Sequence, residues 1–138
     1  MIQVLVVDDS ATAREAISAI LSSASDIRVI GRAADGLEAL EMTAELKPDV
    51  ITMDINMPRM NGYEATQQIM AITPTPIVVV TTVSQQEMVH QGLNILLAGA
   101  LEIVQKPSSL STQGFESISA ELIDKVRAVS QIKLSKAG

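Results

Sequence analysis

The sequence predicts a doubly wound α/β fold around a five-stranded parallel sheet, and three observations carry that expectation. Short β-branched runs alternate with helical patterns along nearly all 138 residues, the signature of successive βαβ units. The run Ile77–Val80 is wholly apolar, as a strand covered on both faces must be. With 47% apolar and 19% charged residues, a chain of this length buries a sizeable core as one domain.

Gln3–Val7 reads as the first strand. After Asp8-Asp9-Ser10 comes a helix whose apolar positions Ala13, Ile17, Ile20, Leu21 and Ala24 share one face. Ile27–Ile30 is the second strand. Asp35-Gly36-Leu37-Glu38 then has the form of a capping box, with Leu37, Leu40 and Ala44 as the helical stripe behind it. Lys47-Pro48 closes that helix, because a residue before proline is driven out of the α region. Val50–Met53 is the third strand, Met57-Pro58 through Asn61-Gly62 a loop, and Tyr63–Ile72 a short helix ended by Thr73-Pro74-Thr75-Pro76.

Ile77–Val80 is the fourth strand. A second capping box, Ser84-Gln85-Gln86-Glu87, opens a fourth helix with Val89, Gly92, Leu93, Leu96 and Leu97 on one face. Leu101–Val104 is the fifth strand. Beyond Lys106-Pro107 and a Ser-rich connection, a continuous fifth helix carries Phe115, Ile118, Leu122, Val126 and Val129. Residues 1–131 make the expected domain, and 132–138 a polar tail or the start of a linker.

Ten Lys+Arg against sixteen Asp+Glu gives 10 − 16 = −6. With no basic patch to reverse it, that balance argues against nucleic acid and anionic membrane surfaces as partners. The lack of cysteine excludes disulfides, thiolate zinc sites and thiol catalysis, and fits a cytoplasmic location. Met1-Ile2-Gln3 has no signal-peptide character, and no apolar run approaches the ~20 residues that span a bilayer. Tyr63 and Phe115 are the only aromatic residues, which weakens any function that stacks bases or flavins.

In a doubly wound sheet ligands bind at the carboxyl ends of the strands, where the strand order reverses. Those ends carry Asp8 and Asp9, Asp54, Thr81 and Lys106. If the first and third strands are neighbours, three carboxylates crowd one rim and require a cation, for which hard Mg²⁺ with oxygen ligands is the natural choice. A carboxylate beside Mg²⁺ and a lysine can attack a phosphoryl group, with Thr81 donating a hydroxyl to it. Taken singly each residue has a plainer reading: Asp9 or Ser10 as a helix cap, Asp54 as a turn residue, Lys106 as a solvated lysine, Thr81 as strand filler. Their joint placement at successive strand ends favours the chemical reading. His90 reads as solvated, and Met57 and Met60 as flexible packing.

The string Val-Leu-Val-Val-Asp8-Asp9-Ser10, the segment Asp54-Ile55-Asn56-Met57-Pro58-Arg59-Met60-Asn61-Gly62, Thr81 after a Val run, and Lys106-Pro107 together resemble a two-component response-regulator receiver domain. The resemblance covers about residues 1 to 130. Within that family the Met57–Met60 spacing, Gly99-Ala100, the long segment from Thr81 to Lys106 and the Ser-rich stretch look most like the receiver of chemotaxis protein-glutamate methylesterases. The resemblance implies a flavodoxin-like fold with strand order 2-1-3-4-5. It implies Asp54 as phosphoacceptor and Mg²⁺ held by Asp9, Asp54 and the Asn56 carbonyl, with Asp8 helping through water and charge. Thr81 and Lys106 would hold the phosphoryl oxygens, and the Lys106-Pro107 bond is a candidate for the cis form.

Two departures stand out. Ile103 occupies the place of an aromatic switch residue, so coupling must use other packing. Thr82 and Val83 replace a small and a polar residue beside the aspartate, which implies slowed phosphoryl chemistry.

The expected function is therefore a phosphorylation-driven switch with no catalysis beyond its own phosphotransfer and dephosphorylation. Its donor would be a histidine kinase. Its output would be a protein or domain met by the fourth helix, fifth strand and fifth helix, as monomer or phosphorylation-dependent dimer. Three competitors are a regulatory fragment of a larger enzyme such as a methylesterase, a flavodoxin-like cofactor binder, and a haloacid-dehalogenase-like phosphatase. The second lacks aromatics and a Gly-rich loop here. The third would place its nucleophile after the first strand and a second Asp where Asn56 stands.

Overall fold

A computed structural model of the chain describes residues 1–82, 98–106 and 112–134. The helix expected from Ser84 to Leu97, His90, Val83, Pro107 with the bond before it, the Ser-rich connection at 108–111 and the tip of the tail lie outside the described residues.

The five strands are β1 (Ile2–Val7), β2 (Ile27–Ala33), β3 (Val50–Met53), β4 (Ile77–Thr81) and β5 (Glu102–Gln105). They form one parallel sheet in the order β2-β1-β3-β4-β5. Helices α1 (Ala11–Ser22), α2 (Gly36–Leu46) and α3 (Gly62–Ile72) connect the first four strands, and a short helix Thr112–Glu116 precedes a terminal helix Ser119–Ser130. Among the described residues no helix is long and apolar enough to cross a membrane.

The pleat divides the core in two. Val4, Val6, Val78, Val80 and Val104 point to one face, where they meet Ile17 and Leu21 of α1, Phe115, and Leu122, Val126 and Val129 of the terminal helix. Leu5, Val7, Ile51, Met53, Ile77 and Val79 point to the other, against Ala39 of α2 and Ala65 and Ile69 of α3. Adjacent residues of one strand serve opposite cores, which is why the central strands read as unbroken apolar runs rather than alternating ones.

Four local readings are corrected. β2 runs on to Ala33 rather than ending at Ile30: its register against β1 slips between Val4 and Leu5, so that Leu5 faces Gly31. β5 starts one residue later than expected and includes Gln105. The buried residues of α2 are Gly36, Ala39 and Thr43, while Leu37 is exposed and Leu40 only partly covered. Small residues let that helix approach the sheet closely, and the Thr43 hydroxyl donates to the Ala39 carbonyl at 2.6 Å, so its burial leaves no donor unpaired. The last helix is not continuous. Ser117 turns its N–H and hydroxyl back to the Gly114 carbonyl, ending the short helix, and the chain restarts at Ser119 with Phe115 still buried.

Candidate functional site

β1 lies between β2 and β3, so the connections that follow β1 and β3 run to opposite sides and open a crevice at the carboxyl ends of these two strands. Asp8 and Asp54 are the first residues past those two ends. The Asp54 N–H donates to the Val7 carbonyl at 3.0 Å and the Asp8 N–H to the Ala33 carbonyl at 3.0 Å, so sheet-like bonds fix both backbones. Ser10 is the cap of α1, its side chain accepting from the Ala13 N–H. That settles the choice between Asp9 and Ser10 and leaves the Asp9 carboxylate free of capping duty. Carboxylate oxygens of Asp8, Asp9 and Asp54 lie within 4.8 Å of one another.

From the other side β5 delivers Lys106, whose N–H donates to the Thr81 carbonyl at 2.7 Å. Its ammonium stands 2.6 Å from Asp8 Oδ2 and 3.5 Å from Asp54 Oδ1. Asp8, Asp54, Thr81 and Lys106 are all buried, whereas Asp9 and Asn56 are exposed at the mouth. Among the described residues Thr81 Oγ1 is buried without a hydrogen-bond partner, an arrangement that favours an occupant able to accept its proton. Thr82 is exposed beside it.

Burial pushes the Asp54 carboxyl up from 3.8 to about 7. Lys106 opposes that rise, while the Asp8 charge and a hydrogen bond with Asp9 add to it. Three carboxylates and one ammonium sum to −3 + 1 = −2 when all are ionised, a charge that a divalent cation balances. Oxygens sharing an octahedral Mg²⁺ at ~2.1 Å are ~3 to ~4.2 Å apart. The three acids offer only oxygen donors within 4.8 Å of one another, so the donor chemistry fits a hard cation.

A family model described as "Response regulator receiver domain" matches residues 4–113 of the chain. The chain belongs to the response regulator receiver family. This receiver domain is closely related to the regulatory domains of chemotaxis methylesterases. It is 43% identical over 134 residues to protein-glutamate methylesterase/protein-glutamine glutaminase 1 of Syntrophus aciditrophicus, covering 97% of the chain and 38% of that relative. It is 47% identical over 127 residues to the corresponding protein of Methanococcoides burtonii, covering 92% of the chain and 35% of that relative. The chain thus spans well under half the length of these relatives. Among solved structures the response regulator domain of Thermotoga maritima CheB superposes with a TM-score of 0.89 at 41% identity, over 96% of this chain and 98% of that one. A chain of the CheX-CheY-BeF3-Mg+2 complex from Borrelia burgdorferi superposes at 0.69 with 26% identity, over 87% and 89%.

The receiver domain brings Asp8, Asp9, Asp54 and Lys106 into one cluster, sets Thr81 on the strand end beside Lys106, and leaves Asn56 on the loop two residues past Asp54. Ile103 is partly buried against the second core, and its carbonyl accepts the Lys125 ammonium at 2.8 Å. Met57 and Met60 also pack on that core, as their flexible-packing reading has it.

Two arginines were not legible as parts of the site. Arg14 Nη1 donates to the Asp8 carbonyl at 2.7 Å, while Asp8 Oδ1 takes the Ser10 N–H at 2.9 Å, so the Asp8 turn is held at both ends. Arg59 Nε donates to Asp35 Oδ2 at 2.9 Å, across 24 residues of sequence. The Glu38 N–H and then the Arg59 guanidinium hold the Asp35 carboxyl below the usual carboxylate range. Arg14 could have been found from its position one turn after Ser10 on the rim of the sheet. Nothing local to Arg59 signals its partner.

Proposed function

We propose that the domain is a Mg²⁺-dependent phosphoacceptor switch in which Asp54 is the nucleophile. The observation that carries this reading is the cluster of Asp8, Asp9 and Asp54 closed by the Lys106 ammonium at the sheet's switch point. An Asp54 carboxylate oxygen attacks the phosphorus, the bond from phosphorus to the donor's imidazole nitrogen breaks, and the imidazole leaves with that electron pair. Water later attacks the same phosphorus, releasing inorganic phosphate and restoring the carboxylate. Mg²⁺ held by Asp9, Asp54 and the Asn56 carbonyl, with Asp8 assisting, would offset charge on the transferring oxygens. Lys106 balances charge on the same group and Thr81 donates its hydroxyl to it, so Thr81, Lys106 and Asp8 complete the set around Asp54.

The donor in this reading is a histidine kinase and the setting the cytoplasm. Phosphorylation draws Lys106 and Thr81 toward Asp54 and alters the face that includes β5 and the terminal helix, where an output protein or domain binds. Residues 1–131 act as the switch unit and 132–138 as a tail or the start of a linker. The kinship to chemotaxis methylesterases supports the regulatory domain of such a response regulator, and sequencing the native reading frame decides whether a methylesterase domain follows.

Incubation with acetyl phosphate and Mg²⁺ followed by intact-mass measurement tests the chemistry. A single phosphoryl gain that requires Mg²⁺ and disappears in Asp54→Asn is the expected result. No gain together with no beryllofluoride complex would overturn the proposal in favour of a phosphorylation-independent interaction module.

A further inference from the structure

The loop after Asp54 contains a strained residue. Arg59 has φ +64°, and the Met60 N–H donates to the Pro58 carbonyl at 2.7 Å, which makes a γ-turn centred on a residue with a side chain. Turns of this hand are rare and costly, and persist only where neighbouring contacts impose them. Two contacts do so here. The Arg59 guanidinium binds Asp35 Oδ2 through both Nε and Nη2, and the Gly36 N–H donates to the Met60 carbonyl at 3.0 Å. A Cβ at Gly36 would overlap that carbonyl oxygen, so only glycine permits the approach.

The anchor is rigid. Asp35 caps α2, its Oδ1 taking the Glu38 N–H at 2.9 Å, and its side chain is only 8% exposed. At the other end of the loop the Gly62 N–H donates to the Ile55 carbonyl at 2.8 Å. Between these two fixed points lie Asn56, Met57 and Pro58.

We propose that Arg59 is a positioning residue whose ion pair with Asp35 latches the loop following Asp54 and thereby sets the cation affinity of the Asp8, Asp9 and Asp54 cluster. This rests on the reading of that cluster as a Mg²⁺ site. Arg59 is 58% exposed, so as a bare charge it is well screened, and its contribution is to hold the loop where the Asn56 carbonyl can face the cation.

The sign of the effect separates a latch from a charge. Acting only through space, Arg59→Ala would remove a positive charge and tighten Mg²⁺ binding, whereas Asp35→Asn would weaken it. As a latch, both changes weaken binding and the double variant is no worse than either. Asn still caps a helix, so Asp35→Asn leaves α2 intact.

Calorimetric Mg²⁺ titration of the full chain, with amide exchange read at residues 56–60, provides the test. Each single variant and the double variant should raise the Mg²⁺ dissociation constant by about tenfold, at the lower edge of what outer partners of metal ligands contribute, and should speed exchange in the loop. Unchanged or tighter binding in Arg59→Ala, or a double variant showing the product of the single effects, overturns the latch. Wild-type binding that is absent or survives Asp54→Asn overturns the reading of the site itself, a distinguishable result.

Discussion

At Asp54 burial and the neighbouring ammonium pull in opposite directions, and burial wins. Without a cation the folded domain holds this proton up to about pH 7, while the unfolded chain releases it near 3.8. The folded state therefore binds the proton more tightly. The stability this lends is complete below about pH 4 and is lost as pH rises through about 7. Asp54→Asn is neutral throughout and escapes the loss. Its stability in urea relative to wild type should grow from pH 4 and level off above about 7, with a ceiling of about 4 kcal/mol at ~1.4 kcal/mol per tenfold in proton affinity. A difference that is flat with pH would refute this. The acids themselves were plain in the sequence because each follows an apolar run, but the choice of Ser10 over Asp9 as the α1 cap depends on where one hydroxyl points.

At the scale of elements, α3 starts directly against the site. Its first residue, Gly62, sits so close to Asp54 that an added Cβ would overlap the Asp54 carbonyl oxygen, and both partners are backbone. Gly62→Ala should therefore cost about 2 to 3 kcal/mol in denaturant unfolding and slow phosphorylation by acetyl phosphate. Wild-type stability and rate in that variant would show that the helix can slide without moving Asp54. Asn61-Gly62 was legible as a turn, and Asn61 does cap α3 by accepting the Glu64 N–H. That its glycine is needed for close approach was not legible, since the partner lies eight residues earlier. The rotated face of α2 has the same origin. Apolar size suggested Leu37, but closeness to the sheet selected Ala39 and Thr43.

At the scale of the molecule the site joins the ends of four strands, β1, β3, β4 and β5, from both halves of the chain, so a cation bound there is linked to global unfolding. Mg²⁺ should raise the unfolding free energy by about 1.4 kcal/mol for each tenfold of free Mg²⁺ above its dissociation constant, reaching about 2.7 kcal/mol at a hundredfold excess. Thermal unfolding of wild type against Asp54→Asn checks this, and an equal Mg²⁺ response in both would place the cation elsewhere.

The sequence by itself determined the class of fold and the acids, hydroxyl and lysine at the strand ends, because apolar periodicity and the residues that interrupt it are local properties. It also placed the breaks between most elements within a residue or two. The tertiary structure alone decided which carboxylates meet, that Lys106 spans Asp8 and Asp54, and that Arg59 reaches Asp35. Those are contacts between residues far apart in the chain, and they exist only once the strands are ordered and two layers of helices fix the distances between their ends.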